Sequence, residues 1–219
     1  MSFGTNYEKK SKIVQDFHYW CIYYIEMNHI SGAIDEKLMR DIMQGNPKAM
    51  RKLYDLTVGS MNAVCSRYVP NDDDVKDVLQ DSYIKIFSQL KTFKFNGENS
   101  LRTWMTRIVI NESLQMLRSK KSKTFIISFG EIKEDELGHV PEPELTTLAS
   151  SINIDDLMRL VRDLPDGCRT VFNLRVVEKL SHRTIATMLN ISEGTSASQY
   201  HHARKLLANK IFDLINNKK

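Results

Sequence analysis

Beyond the first 30 or so residues of this 219-residue chain, helical periodicity lapses over residues 121 to about 152, and that lapse constrains the fold more than any single motif. The segment carries Pro141 and Pro143, and from Glu131 onward Glu134, Asp135, Glu136, Glu142 and Glu144 face the single base Lys133. Prolines and like charges at this density disfavour a packed helix and favour an extended connection. Apolar residues recur at helical spacing on both sides of it. The expected fold is all-α, two helical domains joined by an acidic linker. The divisions are an N-terminal extension at 1–33, a first domain at 34–122, the linker at 123–152 with a short strand at Phe125-Ile126-Ile127, and a second domain at 153–215.

Hydrophobic residues make up 42% of the chain, enough for a core in each domain. Lys+Arg 31 against Asp+Glu 27 leaves a net charge of only +4, so the distribution of charge says more than its sum. Basic residues gather at Arg102 to Lys123 and at Arg204 to Lys219, bracketing the acidic middle. Cys21, Cys65 and Cys168 lie far apart without zinc or disulfide spacing, which fits a reducing cytoplasm. The apolar run Trp20 to Ile25 is too short to span a membrane, and no small-residue cleavage site follows it. Residues 1 to 26 are expected to be dispensable, since Met27 offers a start ahead of the first domain.

In the first block Asn46-Pro47 predicts a helix start, an amide cap followed by proline where its missing N–H costs nothing. Met50, Leu53, Tyr54, Thr57, Val58, Met61, Cys65 and Tyr68 then follow at helical spacing until Pro70-Asn71-Asp72 breaks the run. Val75, Leu79, Tyr83, Ile86 and Leu90 form the inward stripe of a second helix, and a third is expected from about Ser100 to Lys120. In the second block Ile154, Leu157, Leu160, Val161 and Leu164 predict a helix ended by Pro165, and Val171, Phe172, Leu174 and Val176 another, followed by two shorter ones.

Those last two are a helix-turn-helix. Ser181 caps the first, Ile185, Ala186 and Leu189 turn one face inward, Asn190 suits the turn, and Ser192 caps the second. Placing Ser196, Tyr200, Ala203 and Leu207 inward leaves Ser198, Gln199, His201, His202 and Lys205 outside, as a helix entering a major groove requires. From spacing alone, a helical hairpin with a solvated polar face is the plainer alternative.

The first block carries two further faces. Asp77, Gln80, Asp81 and Ile84 share the side opposite the Leu79 stripe, so an apolar residue stands among acids on the outside. Periodicity by itself fits an ordinary solvated face as well as a partner surface. In the third helix Trp104, Arg107, Asn111 and Arg118 fall within about 60° of one another on a helical wheel. A ring beside cations and an amide suits an unstacked single strand, the ring stacking on bases and the cations following phosphates. A buried tryptophan between surface arginines is the alternative.

Together these segments resemble the extracytoplasmic-function sigma factors of bacterial RNA polymerase. Residues 154 to 211, with Leu164-Pro165-Asp166-Gly167-Cys168-Arg169-Thr170-Val171-Phe172 and Ser192-Glu193-Gly194-Thr195, look like the family's fourth domain. Asp74 to Phe87 look like its core-polymerase-binding helix, and Ser100 to Asn111 like its promoter-melting helix. The resemblance implies core-polymerase binding by Asp77, Gln80, Asp81 and Ile84, and minus-ten DNA binding by Trp104, Arg107, Asn111 and Arg118. It implies minus-thirty-five binding by Ser198, Gln199, His201, His202, Arg204 and Lys205, with Ala197 where relatives often have a base. The loop Phe93 to Asn99 stands where the family receives a flipped base, and the acidic linker where the family threads the polymerase interior. The implied partners are core RNA polymerase, promoter DNA and an anti-sigma factor.

No catalytic role, cofactor or small-molecule substrate is expected. The chain has no G-x-x-x-x-G-K-[ST] or G-x-G-x-x-G loop, and its histidines form no ligand set with nearby acids or cysteines. A helix-turn-helix regulator binding duplex DNA without polymerase would account for the second block but leave residues 74 to 111 unexplained. A pure interaction protein would account for the acidic face but not for the basic helix.

Overall fold

The computed structural model describes residues 34–120 and 153–216. Their order is α1 Glu36–Met43, α2 Pro47–Ser66, α3 Asp72–Gln89, a 3-10 turn Leu90–Thr92, α4 Glu98–Lys120, then α5 Ile154–Arg162, α6 Asp166–Val176, α7 His182–Leu189 and α8 Glu193–Asn216. No strand occurs among the described residues. The N-terminal extension at 1–33 and the strand expected at 125–127 lie outside them, as does the whole linker at 123–152. Contacts divide the chain into two compact units at Lys120 and Lys121, and the all-helical fold follows the expectation.

In the first unit α2, α3 and α4 pack on one another, and α1 packs on α2. Each start is a local decision of the chain. The Asn46 side chain accepts from the Lys48 amide at 3.0 Å and precedes Pro47, while Asn71 accepts from the Asp73 and Asp74 amides at 3.0 and 3.1 Å. Asp72, Asp73 and Asp74 then fill the first turn of α3, where the helix dipole favours negative charge. The interior is aliphatic. Leu53, Ile86, Leu90, Leu101 and Met105 are all but fully enclosed, each contributing about 1.5–3 kcal/mol by leaving water.

Helix α1 was not read as an element in the sequence. Asp35 caps it, accepting from the Leu38 amide at 2.7 Å, and Ile34, Leu38, Met39 and Ile42 are buried. Helix α4 begins two residues ahead of the expected Ser100, at Glu98. The reason is Arg102, whose Nε donates to Glu98 at 2.8 Å and whose Nη1 donates to Ser60 of α2 at 3.4 Å.

In the second unit α8 packs against α5, α6 and α7. Val161, Leu164, Cys168, Phe172, Val176, Ala203 and Leu207 form its main cluster. The buried Arg169 closes the turn at Pro165 by donating to the carbonyls of Leu164 at 2.8 Å and Arg162 at 3.0 Å. The expectation of two short final helices holds for α7 only, because α8 runs 24 residues from Glu193 to Asn216. Its far end continues as helix because Ile211, Leu214 and Ile215 find Leu157 and Leu160 of α5 to pack against.

Candidate functional site

The outer face of α3 follows from its stripe. Val75, Leu79, Tyr83, Ile86 and Leu90 are buried, so Asp77, Gln80, Asp81 and Ile84 all face solvent. Ile84 is 61% exposed, well above the other exposed apolar side chains of the unit. Asp77 and Asp81 make no ion pair among the described residues, whereas Asp73 is held below the usual carboxylate range by Lys76 at 2.8 Å. Beside the face lies a groove of about 730 Å³ between α2 and α3, lined by Tyr54, Val58, Leu79, Gln80, Ile84 and Phe87. Tyr54, one of the residues recurring at helical spacing along α2, is 37% exposed at this groove. Its ring lies against Tyr83 with centroids 4.7 Å apart, so it reaches the core edge-on without entering it.

On α4 the strip is arranged as its spacing implies. Arg107, Asn111 and Arg118 are exposed, and Trp104 is half-buried. What the sequence does not show is the partner of that ring. Phe93, ahead of α4, stacks on Trp104 with centroids 4.7 Å apart and planes 28° apart. The indole is thereby held on one face while the residue stays half-exposed, a geometry able to receive a planar group without first ordering itself. A pair of aromatics bracketing a glycine-bearing loop was the available signal, since Gly97 adopts φ 90° between them.

In the second unit the helix-turn-helix is built as expected. Ser181 accepts from the Thr184 amide at 3.1 Å, Asn190 turns the chain in the left-handed region at φ 56°, and Ser192 accepts from the Thr195 amide at 2.9 Å. Ile185, Ala186 and Leu189 are buried. Ala197, Ser198 and His201 are exposed on α8, and His202, Arg204 and Lys205 are half-buried. The Arg204 guanidinium sits 5.9 Å from the centre of the Tyr200 ring.

Gln199 is not on that outer face. It is 1% exposed, and its Oε1 accepts a hydrogen bond from the Cys168 thiol of α6 at 3.0 Å. The inward row is Ser196, Gln199, Ala203 and Leu207, while Tyr200 sits half-buried at the margin, its ring stacked near Phe172. The cause is the breadth of the interface. With α6 on one side and α7 on the other, α8 buries more than a single line of residues, and Gln199 falls inside the wider arc. Gln199 therefore leaves the set of side chains able to touch DNA directly.

Electrostatics around the outer face are mixed. Partial burial, then Lys205 and His201 close by, hold the His202 pKa below its ordinary value. His182, at the start of α7, is also lowered, first by burial and then by Arg175, against a smaller opposing effect of Glu193. The Cys168 thiol is pushed up to about 12 by burial, so it stays protonated and remains a donor.

Comparison with known proteins converges on one family. The sequence matches the family models "Sigma-70 region 2" over residues 53–123 and "Sigma-70, region 4" over residues 154–207. A solved complex of the sigma factor RpoE with the anti-sigma factor NepR from Bartonella quintana is similar at a TM-score of 0.43 and 20% identity, covering 75% of this chain and 97% of that one. The chain is 28% identical over 187 residues to the ECF RNA polymerase sigma-E factor of Escherichia coli K12, covering 83% of itself and 96% of that protein. To the ECF RNA polymerase sigma-E factor of Haemophilus influenzae it is 30% identical over 191 residues, covering 83% of itself and 97% of the relative. A likeness of that extent, through both helical blocks in the same order, makes this chain a member of the extracytoplasmic-function sigma factors, alternative sigma factors that act with RNA polymerase in transcription initiation.

Proposed function

We propose that the chain carries out this role through three separate surfaces. The α3 face of Asp77, Gln80, Asp81 and Ile84 docks on core RNA polymerase. The α4 strip of Trp104, Arg107, Asn111 and Arg118 engages the unpaired minus-ten strand. Ser198, His201 and His202 of α8, with Arg204 and Lys205 toward phosphates, meet the minus-thirty-five element. Residues 34–122 and 153–215 act as the two binding modules and 123–152 as their connection. An anti-sigma factor covering the polymerase-binding face, and a cytoplasmic location, complete the reading. No helix among the described residues is long and apolar enough to cross a membrane.

The observation that carries it is the exposure of Ile84 among three polar neighbours on α3. A solvated helix face needs no large aliphatic group, whereas an interface gains from one surrounded by a polar rim. A regulator acting on duplex DNA without polymerase would leave that face idle. Run-off transcription from genomic DNA with core polymerase, with and without this protein, is the test. New start sites only in its presence are expected. Duplex binding without any new start site would sink the assignment.

A further inference from the structure

We infer that Gln199 and Cys168 are positioning residues for promoter choice, setting the rotation of α8 in the groove without touching DNA. The inference rests on the proposal that α8 meets the minus-thirty-five element. The interface that holds α8 is otherwise mostly apolar, with Leu164, Phe172, Val176, Ala203 and Leu207 as its bulk. Apolar contacts fix distance better than angle, because they have no direction. Directional contacts are set into this interface toward both flanking helices. The Cys168 thiol of α6 donates to Gln199 Oε1 at 3.0 Å, and His182 Nδ1 of α7 lies 3.0 Å from Ser196 Oγ.

Ser196 and Gln199 are 0% and 1% exposed and sit three residues apart on one side of the helix, so the two bonds hold it at two heights. Burying an amide is costly unless it is bonded, which makes the bonded orientation distinct from its neighbours in angle. Ser198 and His201 lie close to Gln199 in sequence but on the exposed arc of the same helix. At a side-chain radius of about 6 Å, a 20° turn of the helix displaces their tips by about 2 Å. Hydrogen bonds to base edges tolerate only a few tenths of an ångström. A change at the buried pair should therefore alter which bases are chosen. It should not simply weaken binding everywhere.

The test is a promoter-library selection in holoenzyme, with the thermal midpoint of each full-length variant measured alongside. Gln199→Met keeps the volume and removes the acceptor, Cys168→Ala removes the donor, and Cys168→Ser restores one. Gln199→Met and Cys168→Ala are expected to change the relative selection of at least one minus-thirty-five base by about tenfold, the loss of one good base contact. Cys168→Ser should keep the wild-type ranking. Uniform loss on all promoters with the wild-type ranking would mean a merely structural pair and would overturn the inference, as would an unchanged profile. If Gln199→Met does not fold, Cys168→Ala decides by the same criteria. Ser198→Ala and His201→Ala run in parallel. If they shift base choice and the pair variants do not, only the positioning role fails. If none of the variants shifts it, the assignment of α8 to the minus-thirty-five element fails as well.

Discussion

The hydroxyls of Thr57 and Tyr83 meet at 2.8 Å inside the first unit, joining α2 to α3 directly beneath the groove at the proposed polymerase face. Thr57 Oγ1 also lies 2.7 Å from the Leu53 carbonyl, to which it donates. Its proton is thus committed, and the Tyr83 hydroxyl is the donor of the pair. Burial raises the Tyr83 pKa far above its ordinary value, so that proton stays in place across the accessible pH range.

Thr57→Val removes the hydrogen-bond partner that the Tyr83 hydroxyl has among the described residues and leaves a buried donor unsatisfied. A loss of about 1–3 kcal/mol is expected, a fall in the thermal midpoint of several degrees for a unit of this size. Tyr83→Phe on the Thr57→Val background should cost little more than Thr57→Val alone. Additive losses in the double-mutant cycle would show that the two hydroxyls are not coupled.

Asp77→Ala with Gln80→Ala should weaken binding to core polymerase while leaving helicity unchanged, because both side chains are exposed and α3 is capped elsewhere by Asn71. Ile84→Glu should act more strongly, by about tenfold or more, since it replaces an apolar contact with a charge among carboxylates. Wild-type affinity in all of these variants, measured by anisotropy of labelled protein with core polymerase, would remove this face from the interface.

Trp104→Ala should reduce open complex by about tenfold, in keeping with the loss of one stacked base. Permanganate footprinting should find the loss greater on a duplex promoter than on one already mismatched at the minus-ten element. An equal loss on both templates would indicate a defect in folding or duplex binding instead.

The two depressed histidines, His182 and His202, give the second unit a pH dependence of definite sign. The unfolded chain takes up their protons near the ordinary value of about 6.5, the folded chain only at lower pH. Their contribution to stability is present above about 6.5 and is lost as pH falls through the folded values. DNA should act the other way at His202, because a nearby phosphate favours the imidazolium, so duplex affinity should rise as pH falls across the same interval. His202→Gln should flatten that rise. An unchanged slope in a pH series of binding isotherms would place His202 away from phosphate.

What the sequence disclosed about the fold was decided locally. Asn46, Ser181 and Ser192 all cap the helices they were expected to cap, because the competition between a side-chain acceptor and solvent for an amide proton involves only the next three residues. The inward stripe of α3 was legible for a similar reason, since one face packs and the other does not. Gln199 was misplaced because periodicity marks the centre of a buried arc and says nothing of its width. Phe93 could be assigned to a loop, but its stack on Trp104 depends on how the 3-10 turn and Gly97 bring the two together, which no spacing rule contains. The length of α8 was underestimated because the residues that extend it pack on α5, about fifty positions earlier in the chain.

The stack of Phe93 on Trp104 limits how many nucleotides the indole can hold. With one side of the ring already taken by protein, a base can lie only on the other, so the ring closes a column of stacked bases and cannot sit within one. On the proposed assignment, such a terminus would fix the boundary where paired DNA gives way to separated strands. The size of the opened region would then be measured from this ring.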